Sequence, residues 1–385
     1  MVRRLLPLLA LALLLIGSPA YAVMSYSTMA GRLAVLAAHS PLVNVYNVGK
    51  AASGDRSLWV ASVRDPNVDA ISTTRILILC RQHGDEPVST EAAMGFLERV
   101  ASGTAPGVPT ALKHTSLYIL PMVNPDGADK MTRRSGQGID LNRDWGRFNG
   151  VETQAAYRVF KAVRPQFVID MHSWDKEDPY RANCLEGPRM ATPLSNAVRE
   201  LDRRARMEVG DGTGQALSEI GYSTGIETTL CHRYMVETLH TPSLLFETTA
   251  GMDEGDEFTR RVDLARTMIL WLVRDTSANP ESWHRLAAAA NPPTPRPTFA
   301  LGDPIGASRI SSTPSKAAQI ASVTPLQPFR LPRTIWWALG MCAVLVGLTA
   351  KRSDPYEAGY VRVDRTIRNG KSVARGVYVA SNRSK

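Results

Sequence analysis

The sequence predicts an α/β domain, a mixed central β-sheet flanked by helices, followed by a single C-terminal transmembrane helix. Three observations lead there. Short, continuous apolar runs at 76–80, 117–120, 167–171 and 244–246 have the pattern of strands covered on both faces. Longer segments of helical period at 89–100, 152–163, 195–207 and 257–273 separate those runs. A stretch at 334–350 carries no charge between Arg333 and Lys351, and a basic tail follows at once.

Along the chain, Arg3 and Arg4 precede an apolar run at 5–16, and the small residues Gly17 to Ala22 then offer a cleavage site. Residues 1–22 therefore read as a secretory signal peptide cut after Ala22, with an uncleaved anchor as the alternative. A helix is expected over 28–39, where Met29, Leu33, Val35, Leu36 and Ala37 follow a Ser/Thr cap. Strands follow at 43–48 and at 58–63, the second after the turn Ser53-Gly54-Asp55. The catalytic-size domain spans 23–290, and it contains no internal repeat. Residues 291–332 are rich in Pro, Ser and Ala, so they cannot bury enough apolar surface to offset their ordering entropy and read as an extended linker. The span is placed at 333–350, with Trp336 and Trp337 where an interfacial belt would sit. A buried core helix is the alternative. Residues 351–385 form a basic tail, which the positive-inside rule puts in the cytoplasm and the domain outside it, exported and anchored.

Charge excludes one class of function. The chain carries 45 basic and 36 acidic residues, a formal charge of +9. Nine basic and three acidic residues lie beyond position 350, and Arg3 and Arg4 belong to the leader, so 34 face 33 in between. The body is nearly neutral, and a nucleic-acid partner is not expected.

Ligands in open α/β sheets gather at the carboxyl ends of strands. His83 and Glu86 follow the run ending near Cys80, His172 follows 167–171, and Glu247 follows 244–246. A single histidine at a strand end is most often a satisfied structural residue, but here three strands deliver ionisable groups at the same relative place. Two imidazoles and a carboxylate are what one zinc ion takes in a catalytic site, with a fourth position open. The expected ligands are His83, Glu86 and His172, with His232 and His240 as rivals for the third. No HExxH occurs, which excludes a helical zincin site.

His83-Gly84-Asp85-Glu86, Asn124-Pro125-Asp126-Gly127 and Asp140-Leu141-Asn142-Arg143, followed in order by His172 and Glu247, resemble the zinc metallocarboxypeptidases of the M14 type. The resemblance covers roughly 28–273 and implies the carboxypeptidase A-like fold, one Zn2+ ion and a peptide substrate with a free C-terminal carboxylate. It implies Glu247 as general base, Asn142 and Arg143 as anchors for the substrate carboxylate, and Arg133 as stabiliser of the oxyanion, with the adjacent Arg134 as the alternative. Tyr234 is expected on a mobile loop over the substrate, with Tyr222 as its rival. Two departures stand out: Asp85 holds a place where digestive members carry Arg, and Asp144 follows the DLNR motif where Asn is commoner. Cys184 and Cys231 fall in loops, and a disulfide between them would brace the Tyr234 segment. The leading expectation is hydrolysis of peptides or cell-wall peptides. An N-acyl amino acid deacylase related to aspartoacylase and succinylglutamate desuccinylase, or a non-enzymatic receptor for peptide termini, are the alternatives.

Overall fold

The computed structural model describes residues 23–173, 184–186, 193–210, 216–219, 228–248, 255–290, 301, 361–368 and 371–378. Helix α1 (Tyr26–His39) opens the domain, Ser25 Oγ accepting from Thr28 N as its cap, and buries Met29, Leu33 and Leu36 at helical spacing. Strands β1 (Val43–Lys50) and β2 (Ser57–Val63) pair antiparallel. After them come β3 (Thr74–Cys80), α2 (Val88–Ala101), the single turn α3 (Val108–Ala111), β4 (Thr115–Leu120), α4 (Pro125–Lys130), α5 (Val151–Val163) and β5 (Phe167–Ser173). The described remainder of the domain holds β6 (Cys184–Glu186), α6 (Pro193–Val209), β7 (Ser218–Glu219), α7 (Cys231–Glu237), β8 (Ser243–Thr248), α8 (Gly255–Ala278) and α9 (Pro280–Ala289).

The strands form one sheet in the order β1-β2-β4-β3-β5-β8-β6-β7. Its centre, β4-β3-β5-β8, is parallel, while β1, β2 and the β6–β8 pairing are antiparallel, so the sheet is mixed as expected. Side chains alternate across it with a period of two. Ile76, Ile78, Phe167, Ile169 and Met171 join a core with residues of α1, α2 and α8, whereas Leu77, Leu79 and Val168 join a second core with Trp145, Val159 and Met235. Each fully buried aliphatic side chain contributes about 1.5–3 kcal/mol, which is why continuous apolar runs settle in the middle of the sheet. Asp170 and His172 share the parity of Val168 and therefore stand on the side of the second core.

Strand order fixes the site. β3, β5 and β8 are consecutive parallel neighbours, with Cys80 opposite Met171 and His172 opposite Glu247. Their carboxyl ends thus open onto one place.

Several elements depart from the sequence reading. The segment 231–237, read as a loop, is helix α7, and α9 was not anticipated; α9 buries Trp283, whose indole lies 5.5 Å from the Phe167 ring in a T-shaped contact. Leu301, within the stretch read as a linker, packs against the second core. No helix among the described residues is long and apolar enough to cross a membrane; the leader at 1–22, the rest of the linker and the span at 333–350 lie outside the described residues. In a second compact unit, Thr313–Lys385, β9 (Val361–Arg368) and β10 (Lys371–Tyr378) pair antiparallel, with Arg368 opposite Lys371.

Candidate metal centre

The loop after β3 is shaped by its own backbone. Arg81 adopts φ 55°, a left-handed conformation uncommon outside glycine, and its side chain turns inward to donate from Nε to Gly84 O at 2.9 Å. Gly84 then passes so close to α4 that a Cβ there would lie 2.0 Å from the Gly127 carbonyl carbon. Asn124 caps α4 by accepting from Gly127 N at 2.8 Å, while its amide nitrogen donates to Gln82 O and Arg133 O. The NPDG segment is therefore a brace for the loop that carries His83 and Glu86. Asp126 completes it, accepting from Ser53 N, Ser53 Oγ and Arg56 Nη1.

His83, Glu86 and His172 converge, all buried or nearly so, with one donor atom each inside a 4.8 Å group. His83 Nδ1 is 2.6 Å from Glu86 Oε1, His172 Nδ1 is 2.7 Å from Glu86 Oε2, and the two Nδ1 atoms are 3.1 Å apart. Two nitrogens bound tetrahedrally to one zinc ion would be separated by roughly 3.3 Å, so the donor set and its spacing fit that ion. Among the described residues this is the one group of three or more such donors close enough to hold a metal. His232 and His240 are not in it: His232 is buried on α7 and His240 is exposed beyond it.

Behind each imidazole stands a carboxylate. Asp140 Oδ1 lies 3.1 Å from His83 Nε2, and Asp170 Oδ1 lies 2.9 Å from His172 Nε2. Arg133 closes one side, donating from Nε to Asp140 Oδ2 at 2.8 Å with Nη1 3.2 Å from His83 Nδ1. Arg134 instead donates to Gly138 O and is exposed, so Arg133 is the one of the pair that borders the cluster. Burial works against a charged Glu86, yet the two imidazoles hold its carboxyl well below the usual range. Against its own burial, Asp140 is held low by His83 and Arg133. Desolvation would lower the His172 pKa, but Asp170 and Glu86 overcome it and raise it well above the ordinary value.

Glu247 stands beside His172 on β8, and its Oε2 is buried without a hydrogen-bond partner. Burial, reinforced by Glu86 and Asp170, pushes its pKa well above the carboxylate range despite the opposing pull of His172 and Arg133.

Asn142 lies in a 3-10 turn, Leu141–Arg143, capped by Asp140; its Oδ1 accepts from Cys231 N at 2.8 Å and its Nδ2 is 3.1 Å from His172 Nε2. Arg143 is half-buried, with Nη1 donating to Asn142 O. Asp144 is buried and caps the entry to α5 by accepting from Asn149 N and Gly150 N, a task for which a second carboxylate oxygen serves better than an amide. Tyr234 is not on a loop: it sits in α7 and packs over Gly146 and beside Trp145 and Phe148. Tyr222 lies outside the described residues. Cys231 is a free, buried thiol, so the Cys184 pairing is not formed; the first turn of α7 directs its sulfur to the Gln82 side chain. Sequence reading passed over Asp140, Asp170 and Gln82. The available signal was an acid two residues before His172 in an otherwise apolar strand, on the same face.

Residues 32–226, just over half of the chain, match the family model for zinc carboxypeptidases, Peptidase_M14. The zinc carboxypeptidase of Saccharothrix mutabilis subsp. capreolus is 30% identical over 125 residues, 28% of this chain and 28% of that protein. Carboxypeptidase E of Caenorhabditis elegans is 26% identical over 237 residues, 52% of this chain and 48% of that one. The chain spans less than half the length of these curated relatives. A crystal structure of a metallo-carboxypeptidase from Burkholderia cenocepacia is similar with a TM-score of 0.56 at 20% identity, over 66% of this chain and 70% of that one, a likeness of fold. Fold and cluster together define a metallocarboxypeptidase scaffold. The chain belongs to the zinc carboxypeptidase family. The matched segment includes His83, Glu86, Arg133, Asn142, Arg143 and His172 and ends before Tyr234 and Glu247.

Proposed function

We propose that the domain is a zinc-dependent metallocarboxypeptidase that hydrolyses the C-terminal peptide bond of peptides or cell-wall peptides. One observation carries the reading: two imidazoles and a carboxylate meet at the ends of adjacent parallel strands, with a second carboxylate in register beside them. His83, Glu86 and His172 would hold the ion. An ion held there would polarise the scissile carbonyl and lower the pKa of a water far below its free value.

The chain's own residues supply the rest. Glu247 removes the proton of the attacking water as the new C–O bond forms, then delivers it to the leaving amine as the C–N bond breaks. Its buried, unpartnered Oε2 suits a group that alternates between charged and neutral forms. Arg133, at the edge of the cluster, stabilises the developing oxyanion. Arg143, with Asn142, receives the substrate's terminal carboxylate through a planar, permanently charged fork. Tyr234 borders the substrate from α7. The apolar leader, Pro-rich linker, apolar stretch and basic tail support export and a C-terminal membrane anchor.

The full-length protein should release single residues from peptides with free C-termini, lose that activity to a chelator and regain it with zinc. Turnover of N-acyl amino acids with no cleavage of peptides would replace this reading with the deacylase one. Export is tested by whether protease added to intact cells reaches the domain.

A further inference from the structure

Asp170 is buried completely in the middle of an apolar strand, which is costly for a carboxylate without compensation. Its surroundings are set by groups whose hydrogen-bonding sense is fixed. The Trp145 indole can only donate, and it donates from Nε1 to Gln82 Oε1 at 2.8 Å. That fixes the Gln82 amide, so its Nε2 must face the other way, and it donates to Asp170 Oδ1 at 2.6 Å. Asp170 Oδ1 is thus an acceptor, and its 2.9 Å contact with His172 Nε2 is favourable when that nitrogen carries the proton. His172 Nδ1 is then bare and faces Glu86 and His83.

We infer that Asp170, oriented by Trp145 through Gln82, is a positioning residue that fixes the tautomer and ring orientation of His172 for metal binding. The inference rests on the reading of His83, Glu86 and His172 as zinc ligands. It assigns distinct duties to the two acids behind the imidazoles: Asp140 is shared with Arg133, whereas Asp170 Oδ1 serves His172 and Gln82, and among the described residues its Oδ2 is without a hydrogen-bond partner. A carboxylate placed behind a ligating imidazole strengthens the ligand and holds its ring, and removing such a partner weakens metal affinity about 10–100-fold. Asn142 competes for the same nitrogen: its Oδ1 accepts from Cys231 N, so its Nδ2, 3.1 Å from His172 Nε2, would donate there if that nitrogen were bare.

The test uses full-length protein with 15N-labelled histidine and zinc affinity measured by chelator competition. In the zinc-loaded wild type, the long-range 1H–15N spectrum is expected to show His172 with a protonated Nε2 and a metal-shifted Nδ1. Asp170→Asn is expected to bind zinc about 10–100-fold more weakly with its circular dichroism unchanged. A bare Nε2 in the wild type overturns the inference without any variant, so it stays testable if Asp170→Asn fails to fold. An Asp170→Asn protein that binds zinc as tightly as wild type overturns it while leaving the ligand assignment intact. Absence of zinc binding in the wild type overturns both.

Discussion

His172 and Glu247 are register partners on the adjacent parallel strands β5 and β8. Partners in register present their side chains to the same face of a sheet, so one strand pair delivers a candidate ligand and a candidate base side by side. The relationship is made by strand register alone.

Glu247→Gln keeps the shape of the side chain and removes its ability to take a proton. Turnover should fall by about 10²–10⁴-fold, while zinc stoichiometry, measured by metal analysis of the purified variant, stays at one. A variant that has lost both activity and metal would place Glu247 among the ligands instead.

Arg133 touches the cluster and Arg134 does not. Arg133→Ala should therefore lower kcat by about 10²–10³-fold, and Arg134→Ala should leave it within a factor of about 2, as expected for a solvated side chain. Steady-state kinetics on one peptide substrate separate the two.

Gly84→Ala adds a methyl group where the Gly127 backbone already stands. Neither backbone has a flexible end to move, so the cost should reach about 3 kcal/mol or more. Urea unfolding monitored by tryptophan fluorescence reads this directly, and a change below 0.5 kcal/mol, roughly the scatter of a surface substitution, would contradict the close approach.

Asp126 gives a pH signature. Burial would raise its pKa, but the hydrogen bonds from Ser53 and the contact with Arg56 outweigh that and hold it below the ordinary value. A carboxyl depressed in the folded state contributes stability that is complete above the unfolded value, about 3.9, and that is lost as pH falls through the folded one. Asp126→Asn should cost about 1–3 kcal/mol at pH 7, with the gap to wild type closing below about pH 4. A gap that persists undiminished at pH 2.5 would mean the carboxylate's charge is irrelevant to the brace.

Much of the site was legible because it lies at the ends of strongly apolar strands. The runs at 76–80, 167–171 and 244–246 match β3, β5 and β8 closely, and His83, Glu86, His172 and Glu247 follow from where those runs stop. What escaped was short or depended on partners distant in sequence. The seven residues of α7 have no side-chain cap and only two turns of pattern, so they read as a loop. Strands β6 and β7, three and two residues long, fall below what periodicity detects. Asp170 was visible as an acid in an apolar strand, but its meaning required Gln82, 88 residues earlier in the chain. NPDG was legible as a motif and not as a mechanism, because the closeness of Gly127 to Gly84 exists only in three dimensions.

The loop that carries His83 and Glu86 is held by Arg81 on Gly84, by Asn124 on Gln82 and by the contact of two glycines, none of which involves an ion. Small zinc modules lose their fold when stripped, because the ion is their core. Here none of the contacts that hold the loop uses a metal ligand, so stripping the proposed ion with a chelator is expected to leave the loop and the domain standing, with the circular dichroism of the protein unchanged.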